Sequence, residues 1–349
     1  MRSVQTVVEE QFARWAGTGV GTIERDVLGT DDSRQIAETF ESFCIRQLGA
    51  PPAGGLFYAA SAGCVLGVHL ESGNNVVIKA YQSRWGEALL AAVQAVEDRV
   101  ARGGIPCPRP LAPPTAIRAG RSNLAVVETW LPDPGMRPGG SDAARRVSAA
   151  GLARQIALCT NVPAAAPLAG HPLGSRSDRL YGTPHSPLFD FDSTGVGAEW
   201  IDDIARRAKP VREEDESASV VAHTDWSARN VRFNEKRLLA VYDWDSVALV
   251  KESAAFGQAA MTWSVTADPG GTEFPNVSSV LAYMDDYESA RDTRLSSGQR
   301  RAARAAAVYV LAYAARCEHS LAARGLARPD QDAARQCLAG AAAELLGER

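Results

Sequence analysis

The sequence predicts an α+β protein in two parts, a set of antiparallel strands carrying one helix and then a larger, mainly helical part. Three observations carry this. Residues 55–81 read GLFYAASAGCVLGVHLESGNNVVIKAY, β-rich segments separated by a small-residue turn and by ESGNN. The helical stretch GEALLAAVQAVEDRVARGG follows, and strand sequence resumes with NLAVVETWL at 123–131. From about residue 252 onward the pattern is helical and rich in alanine.

The 349 residues exceed what one core usually occupies, so two lobes are expected. DPGMRPGG at 133–140 has the composition of a linker. The division that results is a helical extension at 1–50, a small lobe at 51–132 and a large lobe at 133–349. In the extension, Val4, Val7, Val8, Phe12 and Trp15 recur on one helix face, as do Ile36, Phe40, Phe43 and Leu48 on a second helix. PPAGG at 51–55 stops that helix. Beyond NLAVVETWL, residues 141–160 read as helix, 161–196 as a long irregular segment, and Glu199–Lys209 as a short helix. REEDES at 212–217 reads as a solvated charge run, and AIRAG at 116–120 as a short strand.

Composition narrows the function. A net charge of −4 gives no basic face for nucleic acid or anionic membrane, so neither is expected as a partner. The six cysteines are scattered with no CxxC pair, which fits reduced thiols. Glu9 and Glu10 interrupt the place where a signal peptide has its apolar run, and no stretch approaches the roughly twenty apolar residues of a membrane span. A cytoplasmic protein is expected.

The chemistry concentrates in HTDWSARN at 223–230 and VYDWDS at 241–246. Phosphoryl transfer from ATP to an alcohol needs hard oxygen ligands for Mg²⁺ and a carboxylate to receive the hydroxyl proton. Asp225 suits the second role, and Asn230 and Asp243 the first. Asn230 follows Asp225 by one tight loop, and Asp243 ends the apolar strand LLAVY. Asp and Asn also serve as turn and cap residues everywhere, so these three letters alone do not decide the matter.

Their order and spacing resemble the HxDxxxxN loop and the strand-terminal Asp motif of aminoglycoside phosphotransferases, choline kinases and related small-molecule kinases. The resemblance covers about residues 50–320 and implies a bilobal, protein-kinase-like fold. It implies that Asp225 is the catalytic base and that Asn230 and Asp243 are Mg²⁺ ligands, with His223 bracing the loop and Asp245 supporting a second metal. It also implies a strand lysine, supplied by Lys79 in VVIKAY, and a phosphate loop with Ser61 and Gly63 in AASAGC. The backbone of VVETWL around Glu128 to Trp130 falls where adenine is bound. One departure concerns the helix glutamate that pairs with the lysine: Val93 or Gln94 takes its place, leaving Glu87 through a shifted helix, or Gln94 as a neutral substitute.

The expectation is therefore an ATP- and Mg²⁺-dependent kinase of a small-molecule hydroxyl, an antibiotic or a metabolite. Asp190, Asp192, Glu199, Asp285, Asp286 and Glu288 offer acidic character for an amine-bearing acceptor, although each singly reads as a solvated side chain. The alternative is a nucleotide-binding pseudokinase with a regulatory role. Trp226 and Trp244 read as packing residues, His69 and His319 as surface or half-exposed, and His171 and His185 as weak candidates for substrate contact.

Overall fold

Alternation in the central strands builds a sheet with two unlike faces, and that division organises the first part of the protein. The computed structural model describes residues 1–135, 140–162, 165–169, 178–266, 274–327 and 332–348. The chain forms two units, Met1–Gln94 with Pro108–Leu131 and Pro184–Phe189, and Ala95–Cys107 with Pro132–Thr183 and Asp190–Arg349.

The first unit opens with helices α1 (Val4–Arg14), α2 (Thr22–Leu28) and α3 (Ser33–Leu48). Strands β1 (Pro52–Ala60), β2 (Gly63–Leu70) and β3 (Asn75–Tyr81) follow, then α4 (Glu87–Arg102), of which the part from Ala95 is assigned to the second unit, and β4 (Pro110–Ala116) and β5 (Leu124–Thr129). The sheet is antiparallel in the order β1-β2-β3-β5-β4. Register places Leu66 opposite Ile78 and Ile78 opposite Val127, and these residues share one face with Cys64, Val68, Val76, Ala80 and Ala125. That face is buried against Val7, Val8, Val27, Leu28, Ile36, Phe40 and Phe43 of the three helices. The first fifty residues thus supply the hydrophobic backing of the sheet. The opposite face carries Val65, Gly67, Val77, Lys79, Val126 and Glu128.

Two strands differ from the sequence expectation. β1 begins at Pro52, inside the PPAGG stretch, and the fourth strand is Pro110–Ala116 where AIRAG was expected. Both accommodate proline because β1 and β4 are the sheet's edges, where a missing N–H breaks no ladder on the outer side.

The second unit contains α5 (Asp142–Leu158), α6 (Ala165–Leu168) and α7 (Glu199–Glu213). Next come β6 (Ser219–His223), β7 (Val231–Phe233), β8 (Leu238–Val241) and β9 (Val247–Lys251), and then α8 (Glu252–Thr262), α9 (Val277–Ser289), α10 (Ser297–Ala323) and α11 (Ala333–Leu345). β6 pairs with β9, and β7 with β8 as a short hairpin. The alanine content of α10 has a steric purpose. A Cβ on Gly257 of α8 would lie 2.2 Å from the Ala303 carbonyl oxygen, so α8 and α10 meet backbone to backbone. α7 continues through Pro210 to Glu213, past its expected end. Burial of its Ile201, Ile204, Ala205 and Ala208 outweighs the single hydrogen bond that proline removes. REEDES is not uniformly solvated: Asp215 is buried and accepts from Ser253 Oγ at 2.6 Å and the Ser217 N–H at 2.9 Å. Among the described residues no helix is long and apolar enough to cross a membrane.

One polar group lies within the first unit's backing. Glu24 of α2 is 1% exposed and accepts from the Tyr58 hydroxyl at 3.3 Å. Burial raises its carboxyl above the usual glutamate range. A raised folded-state value means that stability is full in acid, below the unfolded value, and is lost as pH rises through the folded one. Glu24→Gln should therefore be more stable than the parent at pH 7, with the difference vanishing below about pH 4. Urea denaturation across pH measures this, and a neutral-pH loss of stability would contradict it.

Candidate active site

Polar side chains inside a strand-turn-strand region need partners, and in the second unit those partners fix the loop 223–230. His223, at the end of β6, is fully buried. Its Nδ1 accepts the Asp225 N–H at 3.3 Å, so the ring proton lies on Nε2, which donates to the Tyr242 carbonyl at 2.9 Å. Trp226 and Trp244 hold the ring edge-on, with centroids at 5.8 and 5.4 Å. The backbone at either end is fixed as well. Thr224 donates through N–H and hydroxyl to Ser246 O, at 3.0 and 2.7 Å, and Tyr242 N–H donates to Asn230 O at 2.9 Å.

Helix α5 supports the loop from beneath. Ser148, Gly151 and Gln155 share a face at helical spacing. Trp226 Nε1 donates to Ser148 O at 3.0 Å, and Gln155 takes the His223 N–H at 3.0 Å while giving to Val221 O at 3.3 Å. A Cβ on Gly151 would come within 3.0 Å of the Trp226 ring, so glycine there lets the indole seat. Arg232 clamps the far end of the loop. It donates to Ala228 O at 2.8 Å and Arg229 O at 2.6 Å, and grips Asp133 with two further nitrogens at 3.0 Å each. The Tyr242 hydroxyl donates to Pro132 O at 3.1 Å, and burial, then the charge of Asp133, push it up to about 12.

Within this frame Asn230 Nδ2 donates to Asp225 Oδ2 at 2.8 Å and to Asp225 O at 3.2 Å. The amide orientation follows from those two bonds. Both remaining oxygens, Asp225 Oδ1 and Asn230 Oδ1, accept no hydrogen bond among the described residues. Asn230 and Asp243 flank the hairpin pair Val231–Val241 at its open end. Asp243 is in the left-handed region, φ 61° and ψ 47°, a conformation aspartate adopts more readily than most residues. Asp245 lies in the 3₁₀ turn that follows and is half-buried.

In the first unit, Lys79 and Glu128 are diagonal neighbours on the face of the sheet opposite α1–α3. Lys79 Nζ lies 3.1 Å from Glu128 Oε1, and both residues are buried. The two helix residues considered for Lys79 sit as follows. Glu87 is exposed at the start of α4, and Gln94 donates to Ala112 O at 2.9 Å. Glu128 was expected to contribute backbone. Its side chain pairs with Lys79, and the Thr129 and Trp130 N–H groups donate to Arg109 O and Asn75 O. The Trp130 ring packs on Phe57 at 5.8 Å and over Gly67, beside Val65 and Val77. Ser61 closes the β1–β2 turn by donating its N–H to Gly63 O at 3.0 Å. A Cβ on Gly63 would meet Ala80 O at 2.4 Å.

The acidic residues considered for an amine-bearing acceptor are largely engaged. Asp286 pairs with Arg145 at 2.8 Å, Asp285 with Arg300 at 2.7 Å, and Glu288 also with Arg300. Asp190 binds Ser193 and is held below the usual carboxylate range by that contact, and Asp192 faces Arg179 at 3.5 Å. Glu199 starts α7 and is exposed. His185 packs on Phe189 at 4.9 Å, His69 meets Asn75 at 2.6 Å, and His319 meets Val196 O at 3.0 Å. His171 lies outside the described residues. Sequence reasoning missed the roles of Glu128, Arg232, Asp133 and Gln155. The alternation of LAVVET, which sets Glu128 on the face of Lys79, was the available signal for the first.

A model of the APH phosphotransferase enzyme family matches residues 67–271, more than half of the chain. The chain belongs to that family and is a small-molecule phosphotransferase. Among solved structures, an amicoumacin kinase in complex with AMP-PNP, Ca²⁺ and Ami matches with a TM-score of 0.61 at 10% identity, over 90% of this chain and 96% of that one. A GDP and kanamycin complex of APH(2")-IIia matches with a TM-score of 0.52 at 12% identity, over 88% and 96%. These likenesses show the protein-kinase-like α+β fold. Comparison with curated proteins gives no match.

His223→Phe keeps the buried ring but strips partners from the Asp225 N–H and the Tyr242 carbonyl. The expected loss of stability is about 2–3 kcal/mol, measured by urea denaturation, and an unchanged midpoint would contradict the bracing role.

Proposed function

We propose that this phosphotransferase moves the γ-phosphoryl group of ATP to a hydroxyl of a small molecule. The observation that carries the reading is the Asp225–Asn230 hydrogen bond, which fixes one carboxylate oxygen and leaves the other without a hydrogen-bond partner among the described residues. In this reading Asp225 Oδ1 accepts the proton of the acceptor hydroxyl. The acceptor oxygen bonds to the γ-phosphorus, the bond from that phosphorus to the β–γ bridging oxygen breaks, and ADP leaves with the electron pair.

Asn230 Oδ1 and the Asp243 carboxylate are the donors that would hold Mg²⁺. Among the described residues no group of three or more His, Cys, Asp or Glu forms a self-sufficient metal site. Two hard oxygen donors nevertheless suit Mg²⁺, which usually takes the rest of its shell from phosphates and water. When bound it would supply charge neutralisation at the phosphates. Lys79 is assigned to the α- and β-phosphates. Its pairing with Glu128 keeps the ammonium in place before a nucleotide arrives. Phe57, Val65, Val77 and Trp130 offer an apolar surface to the base. Ser61 and Gly63 are assigned to the phosphate turn, where Gly63 lets the backbone approach closely.

An antibiotic and a hydroxylated metabolite are both acceptor classes compatible with this chemistry. The arginine pairing of Asp285, Asp286 and Glu288 leaves little support for recognition of an amine through them. The regulatory pseudokinase reading is not favoured, because Lys79, Asp225, Asn230 and Asp243 are all retained.

Acceptor-stimulated ADP release over a panel of hydroxylated antibiotics and metabolites tests the proposal. Asp225→Asn should lower turnover about 10²–10⁴-fold, the usual contribution of a general base, with Mg²⁺–ATP affinity kept. Full turnover by that variant would remove Asp225 from the chemistry.

A further inference from the structure

We infer that Gln82 is a positioning residue that clamps the β1–β2 turn against the segment Pro184–Phe189. The inference rests on the reading of that turn as the phosphate loop. Every contact it uses lies within the first unit.

Gln82 follows Lys79 by three residues, just beyond the end of β3, and is 8% exposed. A primary amide carries two N–H donors. Nε2 spends them on two carbonyls far apart in sequence, Ala62 O at 2.5 Å and His185 O at 3.0 Å. Ala62 is the residue between Ser61 and Gly63, so the bond lands on the tip of the turn itself. The turn has one short backbone closure, Ser61 N–H to Gly63 O. A two-residue tip with small side chains has few other ways to hold its shape.

The second carbonyl gives the clamp a fixed base. Pro184–Phe189 is also held by Arg84, whose Nη2 donates to Pro184 O at 3.1 Å and His185 O at 3.0 Å. Arg84 does not contact the turn in these bonds, whereas Gln82 joins turn and segment through one nitrogen. Loss of that nitrogen takes the side-chain donor from Ala62 O and leaves His185 O with Arg84 alone, so turn and segment are no longer joined. The consequence should fall on the phosphates of a nucleotide and spare its nucleoside.

Hydrogen exchange and ligand titration on the full chain test this. Gln82→Met keeps the volume and removes the donors. It should speed exchange at residues 60–63 and 184–189 together, in the absence of any nucleotide, with the β3 amides unchanged. Its affinity for Mg²⁺–AMP-PNP should fall about tenfold, the size of one hydrogen bond, while adenosine affinity stays the same. Arg84→Met should loosen 184–189 alone and leave AMP-PNP affinity within about twofold. Normal AMP-PNP binding by Gln82→Met, or an equal loss for adenosine, would overturn the positioning role alone. Parent protein that fails to bind AMP-PNP would overturn the nucleotide reading and the positioning role with it.

Discussion

The ring of His223 is the interaction on which the geometry of the 223–230 loop depends. It is fully buried, and its two nitrogens meet backbone groups of opposite kinds, Asp225 N–H and Tyr242 C=O. The two bonds together specify the neutral Nε2–H tautomer. They tie the loop that carries Asp225 and Asn230 to the strand end that carries Asp243. The histidine thus acts as a fixed connector between two backbone segments, with Trp226 and Trp244 excluding water from its faces.

A second constraint is the unlike chemistry of the sheet's two faces. One face is closed by α1–α3 with aliphatic and aromatic side chains, which makes the sheet rigid. The opposite face holds a desolvated ion pair, Lys79 with Glu128, at the diagonal of two central strands. Such a pair gains little net stability from its own attraction, because two charges have left water. In the proposed reaction its value lies in presenting an ammonium whose position is set before phosphate arrives.

The fold class was legible because its signals are local: strand alternation, the ESGNN turn, the apolar stripes of α1 and α3, and the helix 87–102. The paired motifs HTDWSARN and VYDWDS were legible because their spacing is set by one loop and one hairpin. What could not be read depends on register and on long-range packing. That α1–α3 back the sheet follows from which face of β2 and β3 is apolar, and both faces of those strands look apolar in sequence. The Lys79–Glu128 contact joins residues 79 and 128 through the β3–β5 register, which no local spacing reveals. The strand Pro110–Ala116 was hidden by its prolines, which only an edge position makes tolerable. The paired state of Asp285, Asp286 and Glu288 needed the positions of Arg145 and Arg300, and no spacing rule supplies those.

Binding of Mn²⁺ in place of Mg²⁺, followed by electron paramagnetic resonance in the presence of AMP-PNP, addresses the donor assignment most directly. The account predicts one tight nucleotide-dependent site in the parent and in Asp225→Asn, weakened about tenfold or more in Asn230→Ala and in Asp243→Ala. Undiminished Mn²⁺ binding in both of those variants would contradict it.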